Sequence, residues 1–203
     1  MKPLAFILLA IFTLDLYGQQ SKFDEHNWKA PYELPSPKGW AIERFIIPIS
    51  FAPQIPYKGV EDIRFTPGWG KATSDEYWSY AFLWYLDGEV NMSATTLNNN
   101  LKAYYTGLVK TNGRNILKIS PVVTSFKEIK KDNGDIQTYV GSIQMTDYMS
   151  QMPITLNCKA HIKSCSDKHK TFVFYELSPK PLSHKVWISL DKLWFDFKCN
   201  KSR

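Results

Sequence analysis

Between Glu76 and Leu86 the chain has no wet side. Read with a strand period of two, one face carries Tyr77, Ser79, Ala81, Leu83 and Tyr85, and the other Trp78, Tyr80, Phe82, Trp84 and Leu86. A strand apolar on both faces needs a layer above it and a layer below, so it belongs at the centre of a sheet. Its aromatic density and the Asp87-Gly88 stop favour a strand over a helix.

The neighbouring segments are consistent with such a sheet. Trp40 to Ile47 and Val60 to Thr66 read as strands, the second ending at a Pro67-Gly68-Trp69-Gly70 turn. Leu97, Leu101, Tyr104, Tyr105 and Leu108 recur at helical spacing as one apolar stripe. Ser93, Thr95 or Thr96 can cap that helix, and Asn112-Gly113 can end it. Gly107 inside it costs about 1 kcal/mol against Ala, a cost that close packing against the sheet would explain. Val122 to Lys130 and Asp135 to Met145 flank Asp132-Asn133-Gly134, which predicts a tight hairpin. From Pro153 to Ile162, Ile154, Leu156, Cys158, Ala160 and Ile162 face one way and Thr155, Asn157, Lys159 and His161 the other. Thr171 to Leu177 is apolar on both faces, and a final helix groups Trp187, Leu190, Trp194 and Phe197.

Hairpins outnumber βαβ crossovers in this order, which predicts an α+β fold: a single antiparallel β-sheet with one long amphipathic helix and a C-terminal helix packed on it. The expected arrangement puts both helices on one face and a proline-bearing arm on part of the other. That arm, residues 19–38, contains Pro31, Pro35 and Pro37, and a single domain fills residues 39–203.

Residues 1–18 read as a signal peptide. Lys2 supplies the positive start, Leu4 to Leu14 the apolar region and Gly18 the small residue at the cleavage point, so the mature chain is expected to begin at Gln19. The apolar run is short for a membrane span, and no Cys lies near the cleavage point to carry a lipoprotein anchor. The expected location is periplasmic or extracellular, with no transmembrane span after cleavage. A net charge of +6 invites a nucleic-acid reading, but the basic residues are dispersed. The densest run, Lys127-Glu128-Ile129-Lys130-Lys131, leads into a turn, where lysines keep a strand edge soluble. Nucleic acid is not expected as a partner.

Chemistry-bearing motifs are sparse. There is no G-x-S-x-G elbow, no H-E-x-x-H pair and no phosphate loop. His26, His161, His169 and His184 are scattered in polar stretches and read as surface residues. Glu61, Asp62, Glu76, Asp87, Glu89 and Glu176 could assemble an acid–base pair in space, although most are expected at strand ends or on solvent faces. Cys158, His161, Cys165 and His169 are an alternative metal set, because thiolate and imidazole suit zinc. Strand alternation works against it by sending Cys158 and His161 to opposite faces. In an oxidising compartment a Cys165–Cys199 disulfide would tie down loose chain and leave Cys158 as the buried thiol. Trp69 on its glycine-flanked turn offers a flat surface to a sugar or peptide, with Arg64 nearby as an anion contact.

The signal ending Gly18-Gln19-Gln20, the segment Gly59-Val60-Glu61-Asp62-Ile63-Arg64-Phe65 with Pro67-Gly68, and Tyr77-Trp78-Ser79-Tyr80-Ala81-Phe82 together resemble uncharacterised exported proteins of Gram-negative bacteria. That resemblance implies export over most of the mature chain and brings no assigned activity. The Gly39-Trp40 strand opening, followed by an antiparallel sheet and a late helix with a Phe-bearing end, is similar to the PsbP-like fold. This second likeness implies the fold and transfers no site residues. The leading expectation is a non-catalytic exported module that needs no cofactor and binds a protein or glycan partner, or assists an envelope assembly, through Arg64 and Trp69. The alternatives are an enzyme whose site assembles only in the fold and a Cys/His metal-binding protein.

Overall fold

The computed structural model describes residues 23–24, 27–113, 119–132, 134–165 and 169–199, except for the side chain of Cys165. The candidate signal peptide lies outside the described residues. In chain order the elements are β1 (Tyr32–Glu33), β2 (Ala41–Ile47), β3 (Gly59–Phe65), β4 (Tyr80–Asp87), α1 (Ala94–Asn112), β5 (Val123–Ile129), β6 (Gln137–Thr146), β7 (Pro153–Cys165), β8 (Lys170–Ser178), α2 (Val186–Phe195) and β9 (Lys198–Cys199). Seven strands form one sheet in the order β2-β3-β4-β8-β7-β6-β5, and every neighbouring pair is antiparallel. β1 and β9 add a small ladder of their own. The fold is the expected α+β class.

β4 lies between β3 and β8 and is covered on both sides. On one face Tyr80, Phe82, Trp84 and Leu86 join Leu97, Leu101, Tyr104 and Tyr105 of α1 in the larger core. On the other, Ala81 and Leu83 meet Phe172 and Phe174 of β8 beneath Trp187, Leu190 and Trp194 of α2. The two helices therefore occupy opposite faces rather than sharing one. β4 and β8 are both apolar on both sides, so one helical layer could not have removed their rings from water. The proline-bearing arm joins α2, with Tyr32 packing on Tyr85, Phe172 and Phe197.

Two local expectations change. Trp78 is outside the strand at φ 53°, in a turn closed by its backbone N–H to the Trp69 carbonyl, yet its ring is fully buried in the α1-side core. The β5–β6 connection is longer than a two-residue hairpin. Ile129 pairs with Thr138, so the chain from Lys130 to Gln137 closes the turn, with Gly134 at φ 82°. The Asp135 carboxylate turns inward there to accept bonds from Thr138 and Trp194, which a tight turn would not allow.

Ser93 caps α1 by accepting the Thr96 N–H at 3.1 Å. Gly107 of this helix presses on the β2–β3 connection rather than on the sheet, and a Cβ there would overlap the carbonyl oxygen of Phe51. Helix propensity alone predicts that Gly107→Ala stabilises by about 1 kcal/mol. The overlap predicts the opposite sign, a net loss of about 1–3 kcal/mol as in other overpacked sites, to be read from urea unfolding.

Candidate functional site: a His161–Glu176 pocket beneath the second helix

Alternation along β7 puts Asn157, Lys159, His161 and Lys163 on the α2 face, and in β8 it puts Phe172, Phe174 and Glu176 there. The antiparallel register pairs Lys159 with Glu176 and His161 with Phe174, so these polar groups converge under α2. They line a pocket of about 470 Å³ with Asp132, Lys163, Asp191, Trp194 and Phe195.

His161 is 1% exposed, not a surface residue. Its Nδ1 lies 2.8 Å from Asp135 Oδ2 and 3.5 Å from Asp132 Oδ2. A carboxylate only accepts, so Nδ1 carries the proton, and in the neutral ring Nε2 then bears the lone pair. Asp135 is held in turn by the Thr138 hydroxyl at 2.8 Å and the Trp194 indole N–H at 2.9 Å. Trp194 stacks on Phe174 with centroids 5.1 Å apart, and its ring lies 5.6 Å from that of His161. The imidazole is thus fixed in position and tautomer. Its Nε2 is 3.6 Å from Glu176 Oε1 and has no hydrogen-bond partner among the described residues.

Four buried carboxylates show what is unusual here. Glu61 accepts the Tyr104 hydroxyl at 2.7 Å and the Trp84 indole N–H at 3.3 Å. Asp62 accepts from Arg44 at 3.0 Å, Arg64 at 2.5 Å and Tyr32 at 3.2 Å. Asp147 accepts from Tyr77, Ser150 and the Met149 N–H. Glu176 is 0% exposed, and neither of its oxygens accepts a hydrogen bond from a described residue. Its nearest cation, Lys159 Nζ, stays 3.8 Å from Oε2 and is engaged by Asp191. Burial pushes the Glu176 carboxyl well above the ordinary carboxylate range; the charge of Asp191 adds to the rise, Lys159 opposes it, and a hydrogen bond from the protonated carboxyl to Asp191 raises it further. Burial also lowers the Lys163 ammonium, which stands 4.3 Å over the Trp194 ring.

The residues singled out from the sequence are distributed differently. Arg64 is 3% exposed and fastens the arm, donating to the carbonyls of Pro35 and Leu34 while it pairs with Asp62. Trp69 is half-buried on the α1 face against Phe65, with centroids 4.5 Å apart, and it lines an apolar pocket of about 330 Å³. The sheet separates the two side chains, so they do not form one surface. Cys158 is a free, buried thiol on the α1 face, opposite His161, and His169 lies at an exposed turn. Cys158 and His161 are therefore not brought together as metal ligands, and the side chain of Cys165 is outside the described residues.

Sequence reasoning named Glu176 only as one of six carboxylates that could pair in space, and it missed the inward role of His161. The available signal was a lone carboxylate inside a run apolar on both faces, opposite a lysine and near a histidine once the β7–β8 hairpin is registered. Comparison of the chain with protein families, curated proteins and solved structures finds no match.

The Glu61 carboxyl provides a control for these electrostatics. Burial pushes it up to about 8, against the hydrogen bonds from Tyr104 and Trp84. From about pH 4.5 to 8 the folded chain keeps a proton that the unfolded chain has lost, so this group makes stability fall as pH rises through that window and level off above it. Glu61→Gln is expected to remove that slope, on the order of a few kcal/mol across the window, when urea midpoints of the two chains are compared between pH 5 and 8.

Proposed function

We propose that the chain is an exported protein, periplasmic or extracellular, that binds a small polar ligand in the pocket between His161, Glu176 and α2. One observation carries this reading. Three buried acceptor atoms, His161 Nε2 and both Glu176 oxygens, meet no donor among the described residues and border one open pocket. Leaving a buried polar group unpaired costs about 1–3 kcal/mol, and more when it is charged. Glu61, Asp62 and Asp147 show that this fold supplies partners where a carboxylate serves the fold alone. Strain of this kind gathers where a ligand completes the bonding. The convergence of a positioned histidine with a carboxyl group also favours the enzyme alternative over a flat partner-binding face, because general acid–base chemistry needs such a pair.

Export is supported by Lys2, the Leu4 to Leu14 apolar run and Gly18. Among the described residues no helix is long and apolar enough to cross a membrane. A Cys165–Cys199 disulfide fits this compartment. Lys163, two residues before Cys165 in the chain, stands 5.6 Å from the ring of Phe197, two residues before Cys199, which supports a bridge between these two segments. The bridge would lock β9 and the end of α2 beside the pocket.

Two measurements test these proposals. Glu176→Met removes the unpaired carboxyl while keeping bulk, and is expected to raise the melting temperature of the unliganded chain by about 3 °C or more. A comparable fall would show that Glu176 serves the fold, and the ligand reading would be lost. Intact mass and non-reducing peptide mapping of secreted material are expected to give a chain starting at Gln19 with Cys165 joined to Cys199 and Cys158 free. A retained leader or three free thiols would count against export or against the bridge.

A further inference from the structure

We infer that the ligand of this pocket is a neutral sugar, bound through its hydroxyl groups to His161 Nε2, Glu176 and Lys163 with its ring against Phe195. The inference rests on the reading of the pocket as a ligand site and names the chemical class that fills it.

The open valences of the pocket are of both kinds. His161 Nε2 has no hydrogen-bond partner among the described residues, and its lone pair requires a donor. Burial and the bond to Asp191 favour the protonated form of Glu176, which leaves its other oxygen as a second open acceptor. Lys163 presents the opposite need. Its ammonium stands 4.3 Å over the Trp194 ring and 5.6 Å from the Phe197 ring, and no described residue accepts a hydrogen bond from it. These groups line one pocket without meeting at a point, which suits a ligand whose polar groups are spread around a frame. A hydroxyl both donates and accepts, so a polyhydroxylated molecule answers all three with one kind of group.

Charge and shape narrow the class. Lys159 and Lys163 are matched in the lining by Asp132 and Asp191, so neither an anion nor a cation finds an uncompensated counter-charge. A neutral ligand leaves that balance and the Lys159–Asp191 pair undisturbed. Phe195 lines the same pocket and is 87% exposed. The face of a phenyl ring is the negative pole of its quadrupole and attracts C–H groups, and a pyranose offers such an apolar C–H face between its hydroxyls. The volume of about 470 Å³ falls among those of small-molecule sites. This sugar site is distinct from the one that the Trp69 turn suggested, since the Trp69 ring packs in the α1-side core.

The test is a proton–nitrogen NMR titration of the full chain with glucose, galactose, mannose and N-acetylglucosamine, with glucuronate and glucosamine as charged counterparts. The expected result is saturable binding of a neutral sugar from this set, with a Kd of about 1 mM or tighter. It should move the Trp194 indole N–H signal, which belongs to the pocket, and leave those of Trp69 and Trp78 on the other face in place. Phe195→Ala is expected to weaken this binding about three- to tenfold and Lys163→Met about tenfold, while Phe195→Trp keeps the parent affinity or exceeds it. Phe195 is exposed, so its replacement leaves the core intact, and the spectrum of each variant reports its folding directly. The inference is overturned if no neutral sugar of the set binds, or if a charged counterpart binds more tightly. It is equally overturned if the Trp69 and Trp78 signals move in place of Trp194, or if folded Phe195→Ala binds as the parent does. A chain that Glu176→Met stabilises but that binds no neutral sugar keeps the pocket as a ligand site and loses the sugar. One that is destabilised and binds none loses both.

Discussion

β4 and β8 cannot leave either of their faces in water, and most of the architecture follows from that. Phe82, Trp84, Tyr175 and Val173 need a cover on one side, while Leu83, Ala81, Phe172 and Phe174 need one on the other. α1 supplies the first. The second is assembled from pieces distant in sequence: α2, the short β1–β9 ladder and the arm around Tyr32. An apolar strand pair at the sheet centre thus draws both ends of the described chain onto one face. It also pulls the polar side of β7 under a roof, since Lys159, His161 and Lys163 share the face that α2 covers. The pocket is a consequence of the sheet's need for a second layer.

Two charged clusters on that face show opposite solutions to the same problem. At Asp62 the charge is surrounded by Arg44, Arg64 and the Tyr32 hydroxyl, and Arg64 spends its remaining donors on the carbonyls of Leu34 and Pro35. That cluster fastens an irregular arm to the sheet and is fully bonded. At Glu176 the basic groups stop short, the lysine 3.8 Å away and the imidazole 3.6 Å, and the carboxyl is left to share a hydrogen bond with a second acid, Asp191. Similar burial with such different bonding separates a structural ion cluster from a site held ready for something else.

Much of the fold was legible because it depends on period. The two-faced run ending at Leu86, the stripe from Leu97 to Leu108 and the alternation from Pro153 onward each state their own element. The helix placement was not legible, since a stripe shows that a helix packs without showing on which side of the sheet. The site was harder for a related reason. Lys159 and His161 look like the wet face of a half-exposed strand until α2 is laid across them. Glu176 becomes meaningful only through the β7–β8 register, and Asp135 only through a loop that the Asn-Gly pair suggested would be tight. Arg64 stood out as a candidate anion contact, yet its charge is used up inside. A sequence shows which residues are charged, while burial and pairing decide whether that charge is spent.

The coupling between roof and site gives α2 more than a covering role. Trp187 donates its indole N–H to the Lys180 carbonyl at 3.2 Å, fixing the start of the helix near the end of β8. Trp194, two turns on, donates to Asp135, the group that orients His161. Asp191 lies between these two anchors and holds Lys159. One helix thus sets the position of the carboxylate behind the imidazole and also the lysine that balances Glu176. A displacement of α2 too small to uncover the core would still change both contacts, because hydrogen bonds and ion pairs fall off over tenths of an ångström to a few ångströms while apolar packing only loosens. The geometry of the pocket is therefore tied to the seating of α2, and Tyr32 and Phe197 beside the β1–β9 ladder, at its far end, are part of what keeps it seated.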